Sequence, residues 1–135
     1  MDEAFIKKVQ PNSPEAEQSV IGAMIMDRDA IADVIDIVSA DDFYQKQNGI
    51  LFEAMTELYR EGKPVDLVTL QNKLKKKDVP ESMKSLEFIR DLLEAVPTSA
   101  NAKQYAKIVS EKATLRKLIK VTEDITTECL SLIHI

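Results

Sequence analysis

The residue types that could carry chemistry are few in this sequence, and their spacing is poor for it. Asp41 and Asp42 are a carboxylate pair, the kind of group that general acid–base catalysis uses. Adjacent positions point apart on a helix, so the pair reads as a cap or a solvated turn. Asp33 and Asp36 stand at i and i+3 on one polar helix face. Two carboxylates leave most of the coordination shell of a hard cation unfilled, so they read as a solvated face. Cys129 is the one cysteine and His134 the one histidine. That excludes an internal disulfide framework, suits a reducing cytosol and argues against a structural zinc site. The chain contains no GxxxxGKS or GxxxxGKT, no GxGxxG, no HExxH and no CxxC. The expectation is therefore no catalytic, cofactor-binding or metal-binding residue.

Charge offers one further candidate. Residues 1–72 hold 6 Lys+Arg against 14 Asp+Glu, and residues 73–135 hold 12 against 9, so the halves carry −8 and +3. The acidic half is a poor surface for nucleic acid, because phosphate is repelled. In the basic half, Lys73, Lys75, Lys76 and Lys77 crowd one helix end, where they complement the macrodipole. The sharper alternative is a phosphate-contacting patch extended by Lys103, Lys107, Arg116, Lys117 and Lys120. Such a helical DNA-binding domain would lack an aromatic stacking platform.

The elements that must position these residues are helices. Residues 1–12 read as a flexible arm. Ser13 caps a first helix with Pro14 at its first position, where the missing N–H costs nothing. Ala16, Val20, Ala23 and Met24 line its face, widened by Ile21 and Ile25. Asp27 caps a second, in which Ile31, Val34, Ile35 and Val38 follow i, i+3, i+4, i+7. Its Ile and Val content leaves a strand open, but the spacing favours helix. SADDFYQ is a connector with one 3₁₀ turn, its Phe43 and Tyr44 available to plug the core. A long helix over 45–61 carries Leu51, Phe52, Met55, Leu58 and Tyr59 and stops at Gly62 before Pro64. Asp66 caps the next helix, stapled by Val65 against Leu70, with Leu67, Leu70 and Leu74 as its stripe. After Pro80, Ser85 caps a fifth, with Leu86, Ile89, Leu92, Leu93 and Val96 as its stripe and Pro97 as its end. The five Met residues read as core packing.

Thr98 and Ser99 open the last element, and from 101 to 130 there is neither Gly nor Pro. Tyr105, Ile108, Val109, Leu115, Leu118, Ile119 and Ile125 recur at helical spacing. Thirty such residues make a helix of roughly 45 Å. A compact domain of 135 residues has a radius of gyration near ~14 Å, so the helix should overhang its own head. Its far stripe then needs a partner, either a second helix or another subunit. The subunit-pairing candidates are Leu115, Leu118, Ile119 and Ile125.

Composition agrees. The 135 residues are 44% hydrophobic and 30% charged, with 3 Gly and 5 Pro, which suits one helical domain able to bury a core. No apolar run approaches the roughly 18 residues of a membrane span, and MDEAFIKKVQ lacks the apolar stretch of a secretory signal. Physical reading alone stops at an all-α, non-catalytic interaction domain with a projecting helix.

Four motifs take it further. They are PNSPEAEQSVIGAMIMD (11–27), DFYQKQNGILFEAMTELY (42–59), KPVDLVTLQNKL (63–74) and TSANAKQYAKIVSEKATLRKLI (98–119). In this order they resemble the amino-terminal domain of the bacterial replicative DNA helicases of the DnaB type, over roughly residues 11–130. Glu15, Ala16, Glu17, Gln18, Ser19, Val20, Gly22 and Ala23 carry the first match. Many relatives carry His where this chain has Asn48, so nothing rests on a histidine there. The resemblance implies a helical head over 13–97, about five to six helices, followed by a long helix over 98–129. That helix would be the first arm of a truncated hairpin. Hairpins of the family pair between subunits, giving dimers that build the collar of a hexamer, and the collar contacts primase during DNA replication. ATP and Mg belong to the family's motor domain, as does contact with DNA, so this stretch is expected not to be an enzyme. A bacterial cytoplasmic location is implied, with no membrane partner.

LSLIHI (130–135) departs from the family continuation. It is what CTG-TCT-CTT-ATA-CAC-ATC encodes, a transposon-end adapter of sequencing libraries. These residues are therefore read as a non-native tail, with the helicase sequence ending artificially near Cys129 and His134 without biological meaning. Six different codons in the underlying DNA would contradict this.

Overall fold

The computed structural model describes residues 10–94 and 100–133. Five α-helices and two 3₁₀ turns form the head: α1 (Pro14–Met26), α2 (Arg28–Ile35), a turn at Ala40–Asp42, α3 (Lys46–Arg60), α4 (Leu67–Lys75), a turn at Glu81–Lys84 and α5 (Leu86–Glu94). The sixth, α6 (Ala102–Ile133), has 32 residues, about 48 Å of helix. There is no strand among the described residues, so the Ile/Val-rich second segment resolves as helix. Val96, Pro97, Thr98 and Ser99, like His134, lie outside the described residues.

The caps read from the sequence are made. Ser13 Oγ accepts from the Ala16 amide at 3.3 Å, and Asp27 Oδ1 from Asp29 at 3.0 Å. Ser85 Oγ accepts from Phe88 at 3.1 Å. Asp66 and Thr69 exchange bonds, each backbone N–H donating to the other's side-chain oxygen at 2.9 Å. Gly62 ends α3 at φ 72°, the left-handed conformation that a Cβ disfavours.

α1 is the central helix and packs against α2, α3, α5 and α6. Ala16, Val20, Ile21, Ala23 and Met24 are all buried, because a helix surrounded by others needs apolar residues nearly all round. Ile31, Leu51, Met55, Leu70, Leu74 and Ile89 complete the core from the other helices. Met24, Met55 and Met83 are buried there, but Met26 is exposed at the end of α1.

Gly49 lets α3 approach the first 3₁₀ turn. A Cβ on Gly49 would stand 2.8 Å from the Ala40 carbonyl oxygen, which is backbone and cannot swing away. Gly49→Ala is therefore expected to cost about 1–3 kcal/mol in thermal or urea unfolding, despite the better helix propensity of alanine. A neutral or stabilising effect would show that the turn is free to move.

Candidate interaction surface

α6 meets the head through small residues. Ala102, Ala106, Val109 and Ala113 are buried and recur at i, i+4, i+7, i+11, one continuous seam. Tyr105 and Ile108 flank it, half-buried against the core. The larger aliphatic residues further along lie on the other side. Leu115 (45% exposed), Leu118 (57%) and Ile125 (56%) face solvent, and Ile119 is half-buried. From Lys120 to Ile133 every residue is exposed, about 21 Å of helix. Val121, Leu130, Leu132 and Ile133 add to this bare apolar surface. The helix continues unbroken through 130–133.

A side-chain joint sets where α6 leaves the head. Arg116 spans two carbonyls, donating from Nη1 to Pro11 O and from Nη2 to Asp42 O, both at 2.7 Å. Its guanidinium also lies 5.4 Å from the centroid of the Tyr44 ring, a cation–π contact. Lys117 pairs with Asp42 Oδ1 at 3.3 Å, while Asp42 Oδ2 accepts from the Ser39 amide at 3.0 Å. Asp42 is thus a buried cap bonded to α6, and Asp41 beside it is exposed.

One expectation changes here. Phe43 enters the core, its ring 5.3 Å from that of Phe52. Tyr44 does not, and remains 43% exposed, because its ring serves as the platform for Arg116. Of the arm read over 1–12, residues 1–9 lie outside the described residues; residues 10–12 are half-buried, and Arg116 holds Pro11.

Beneath the joint lies a carboxylate that sequence patterning passed over. Glu17 is 2% exposed, on α1. It accepts from the amides of Tyr44 (2.7 Å) and Gln45 (3.1 Å) and from Asn48 Nδ2 (3.1 Å). Gln45, the N-cap residue of α3, makes no side-chain cap of its own. Glu17 therefore caps α3 from another helix, placing negative charge where the macrodipole favours it. Asn48 supplies the third donor, from its side-chain amide on the first turn of α3. The signal available in the sequence was an acidic residue within an otherwise apolar helix face.

Half of the basic run is engaged within the molecule. Lys73 bridges Glu61 (2.7 Å) and Glu57 (3.3 Å), and Lys77 pairs with Glu57 at 3.0 Å, clipping α4 to α3. Lys103 faces Asp33 at 3.8 Å and Lys120 faces Asp124 at 3.7 Å. Lys75, Lys76 and Lys107 are exposed. Among the described residues no group of three His, Cys, Asp or Glu comes together as a metal site, and Asp36 is exposed.

The clip predicts a pH response. Hydrogen bonds from Lys73 and then Lys63 lower the Glu61 carboxyl to about 2. Burial pushes Glu57 up, but its bonds to Lys77 and Lys73 outweigh this and its pKa falls. Both depressed carboxylates favour the folded state above the unfolded carboxylate range near ~4.3, and that contribution is lost as pH falls. The Glu61 carboxyl should titrate by NMR near pH 2 at low salt and shift upward in high salt. A midpoint near the ordinary value at low salt would show that the clip is absent in solution.

Fold and surface together define an all-α helical head with a projecting helix, in which the acidic and basic clusters serve caps, joints and clips. The DnaB-like helicase N terminal domain family matches residues 9–111, and the chain belongs to that family. Its relatives include the replicative DNA helicase DnaB of Geobacillus stearothermophilus, 38% identical over 128 residues, and that of Leifsonia xyli subsp. xyli, 38% identical over 120. These matches cover 95% and 89% of this chain but only 28% and 26% of the relatives, so the chain spans about a quarter of their length. The matched stretch is the N-terminal domain of such helicases and not their ATPase motor. Among solved structures, the N-terminal domain of DnaB helicase from Mycobacterium tuberculosis superposes with a TM-score of 0.88 at 34% identity, covering 94% of this chain and 91% of that one. The corresponding domain from Helicobacter pylori, described together with its interactions with primase, gives 0.73 at 24% identity, with 96% and 98% covered.

Proposed function

We propose that this chain is the assembly and docking domain of a replicative helicase. α6 pairs subunits through Leu115, Leu118, Ile119 and Ile125, and the domain offers primase a surface during replication. On this reading, pairs of the domain build the collar of a hexamer in the bacterial cytoplasm. ATP, Mg and DNA are handled by the motor domain of the full-length helicase. Residues 130–135 remain, in this reading, an adapter-derived tail, which underlying DNA of different codons would refute.

The observation that carries the proposal is the bare apolar side of α6. Large aliphatic residues are exposed along it, while the opposite seam that meets the head is built mostly of alanine. Covering one such side chain is worth about 1.5–3 kcal/mol, so a helix that leaves several bare gains from a partner. Replacing Ile125 by Asp should accordingly weaken self-association at least about tenfold. Sedimentation velocity would show it, and an unchanged association would contradict the pairing role. For primase, the purified enzyme titrated into the chain by calorimetry should give saturable binding. No binding at the highest attainable concentrations would remove that half of the proposal.

DNA binding through the basic half is the less supported reading, because Lys73, Lys77, Arg116 and Lys117 already hold internal partners. Association with DNA that falls steeply with salt would revive it.

A further inference from the structure

A groove on the head, away from α6, carries chemistry that the fold leaves unused. It runs between the first 3₁₀ turn and the outer face of α3, as two cavities of about 470 and 300 Å³ in line. Both volumes fall in the range of clefts that hold ligands. Ile35, Val38 and Phe52 floor the larger cavity, and Phe43, Gly49 and Ile50 the smaller. Asp41 and Glu53 line both, so the two carboxylates stand where the cavities meet. Both are exposed, and neither makes an ion pair or hydrogen bond among the described residues. Thr56 lines the larger cavity; it is 6% exposed, and its hydroxyl has no hydrogen-bond partner. Thr114, Thr122 and Thr126 each donate to the carbonyl four residues back, and Thr56 does not. An unpaired buried hydroxyl is costly, and here it lies in the wall of a groove where an occupant can satisfy it.

We infer that this groove binds an extended segment of a partner protein, in which one arginine stands between two apolar residues as apolar–x–Arg–x–apolar. In an extended segment alternate side chains point the same way, so those three enter the groove together. Four steps of about 3.3 Å span about 13 Å, within the roughly 17 Å of α3 from Gly49 to Arg60 at helical rise. The apolar side chains take the two floors, and the guanidinium lies between Asp41 and Glu53. Arginine suits this place better than lysine, because its planar fork offers donors to two carboxylates at once. The ends of the groove restrict the charge further. Arg60 lines the larger cavity and Lys46 the smaller, so a segment basic throughout is repelled and a single central charge is favoured. Glu57, also on the wall, is already held by Lys73 and Lys77. None of these residues lies on α6, so the inference stands independently of the pairing role.

The test titrates the nitrogen-15-labelled full chain with the capped peptide acetyl-Leu-Ser-Arg-Ser-Leu-amide. Saturable amide shifts are expected at 38–43 and 49–60, while those of 120–133 stay in place. In the D41N/E53Q variant the affinity should fall at least about tenfold. Its melting temperature should not change, because both carboxylates are exposed and unpaired. The peptide with Glu in place of Arg should not bind. Absence of saturable shifts at about 1 mM peptide, unchanged affinity in the variant, or equal binding of the Glu peptide would overturn the inference. So would shifts at 120–133 alone, which would show only adhesion to the bare side of α6. Groove shifts that appear on concentrating the chain without peptide would give the groove to a second copy and overturn it as well.

Discussion

Replacing Glu17 by alanine is expected to destabilise the head by about 3 kcal/mol, a fall in melting temperature of roughly 10 °C or more. The carboxylate is buried and accepts three bonds, from the Tyr44 and Gln45 amides and the Asn48 side chain. Alanine would leave all three donors without that acceptor, and α3 would lose the cap that Gln45 does not provide. A hydrogen bond to a charged group is worth about 1.5–3 kcal/mol, and leaving a buried donor unpaired costs a similar amount. Glu17→Gln keeps one acceptor oxygen but turns an NH₂ toward donors, so it should recover only part of the loss. Denaturant unfolding of both variants measures this. A loss below about 0.5 kcal/mol for alanine, the scale of an ordinary surface change, would mean that water replaces the carboxylate without strain.

Arg116→Ala is expected to loosen the joint between α6 and the head. The guanidinium spans Pro11 and Asp42 carbonyls and lies on Tyr44, contacts that together amount to about 2–3 kcal/mol. The Ala102–Ala113 seam is independent of Arg116, so the helix should remain docked over its first three turns. The change should then appear as faster amide hydrogen exchange around 10–13 and 40–45, with the α1 core protected as before. Arg116→Lys is the informative control, because a single ammonium lacks the planar fork that spans both carbonyls. If lysine restores wild-type exchange, charge toward Asp42 matters and the fork does not.

The helical order of the head was legible because local rules and tertiary packing agree there. Ser13, Asp27, Asp66, Ser85 and Gly62 punctuate the chain as their own chemistry requires. The bare side of α6 was legible too, from a run without Gly or Pro too long, as one helix, to stay within a compact head. What patterning missed is what depends on two distant segments. The alanine seam of α6 is invisible to a search for large aliphatic stripes, yet it is the face that packs. Glu17 reads as a charged interruption until the α3 amides arrive opposite it. Tyr44 looks like a core plug until Arg116, 72 positions away, claims its ring. Lys73 and Lys77 look like a phosphate patch until α3 brings Glu57 and Glu61 beside them. The four motifs behind the family resemblance run across these same partners. They hold Glu17 in the first, Asp42, Tyr44 and Asn48 in the second, and Arg116 in the fourth.

The central claim is that the exposed apolar side of α6 pairs two subunits, and sedimentation equilibrium tests it most directly. The chain should move from 15.2 kDa toward twice that mass as concentration rises. The L118D/I119D variant should remain at 15.2 kDa over the same range, with a circular dichroism spectrum and melting curve showing the head intact. A wild-type chain that stays monomeric throughout, or a folded double variant that associates as the wild type does, would contradict it.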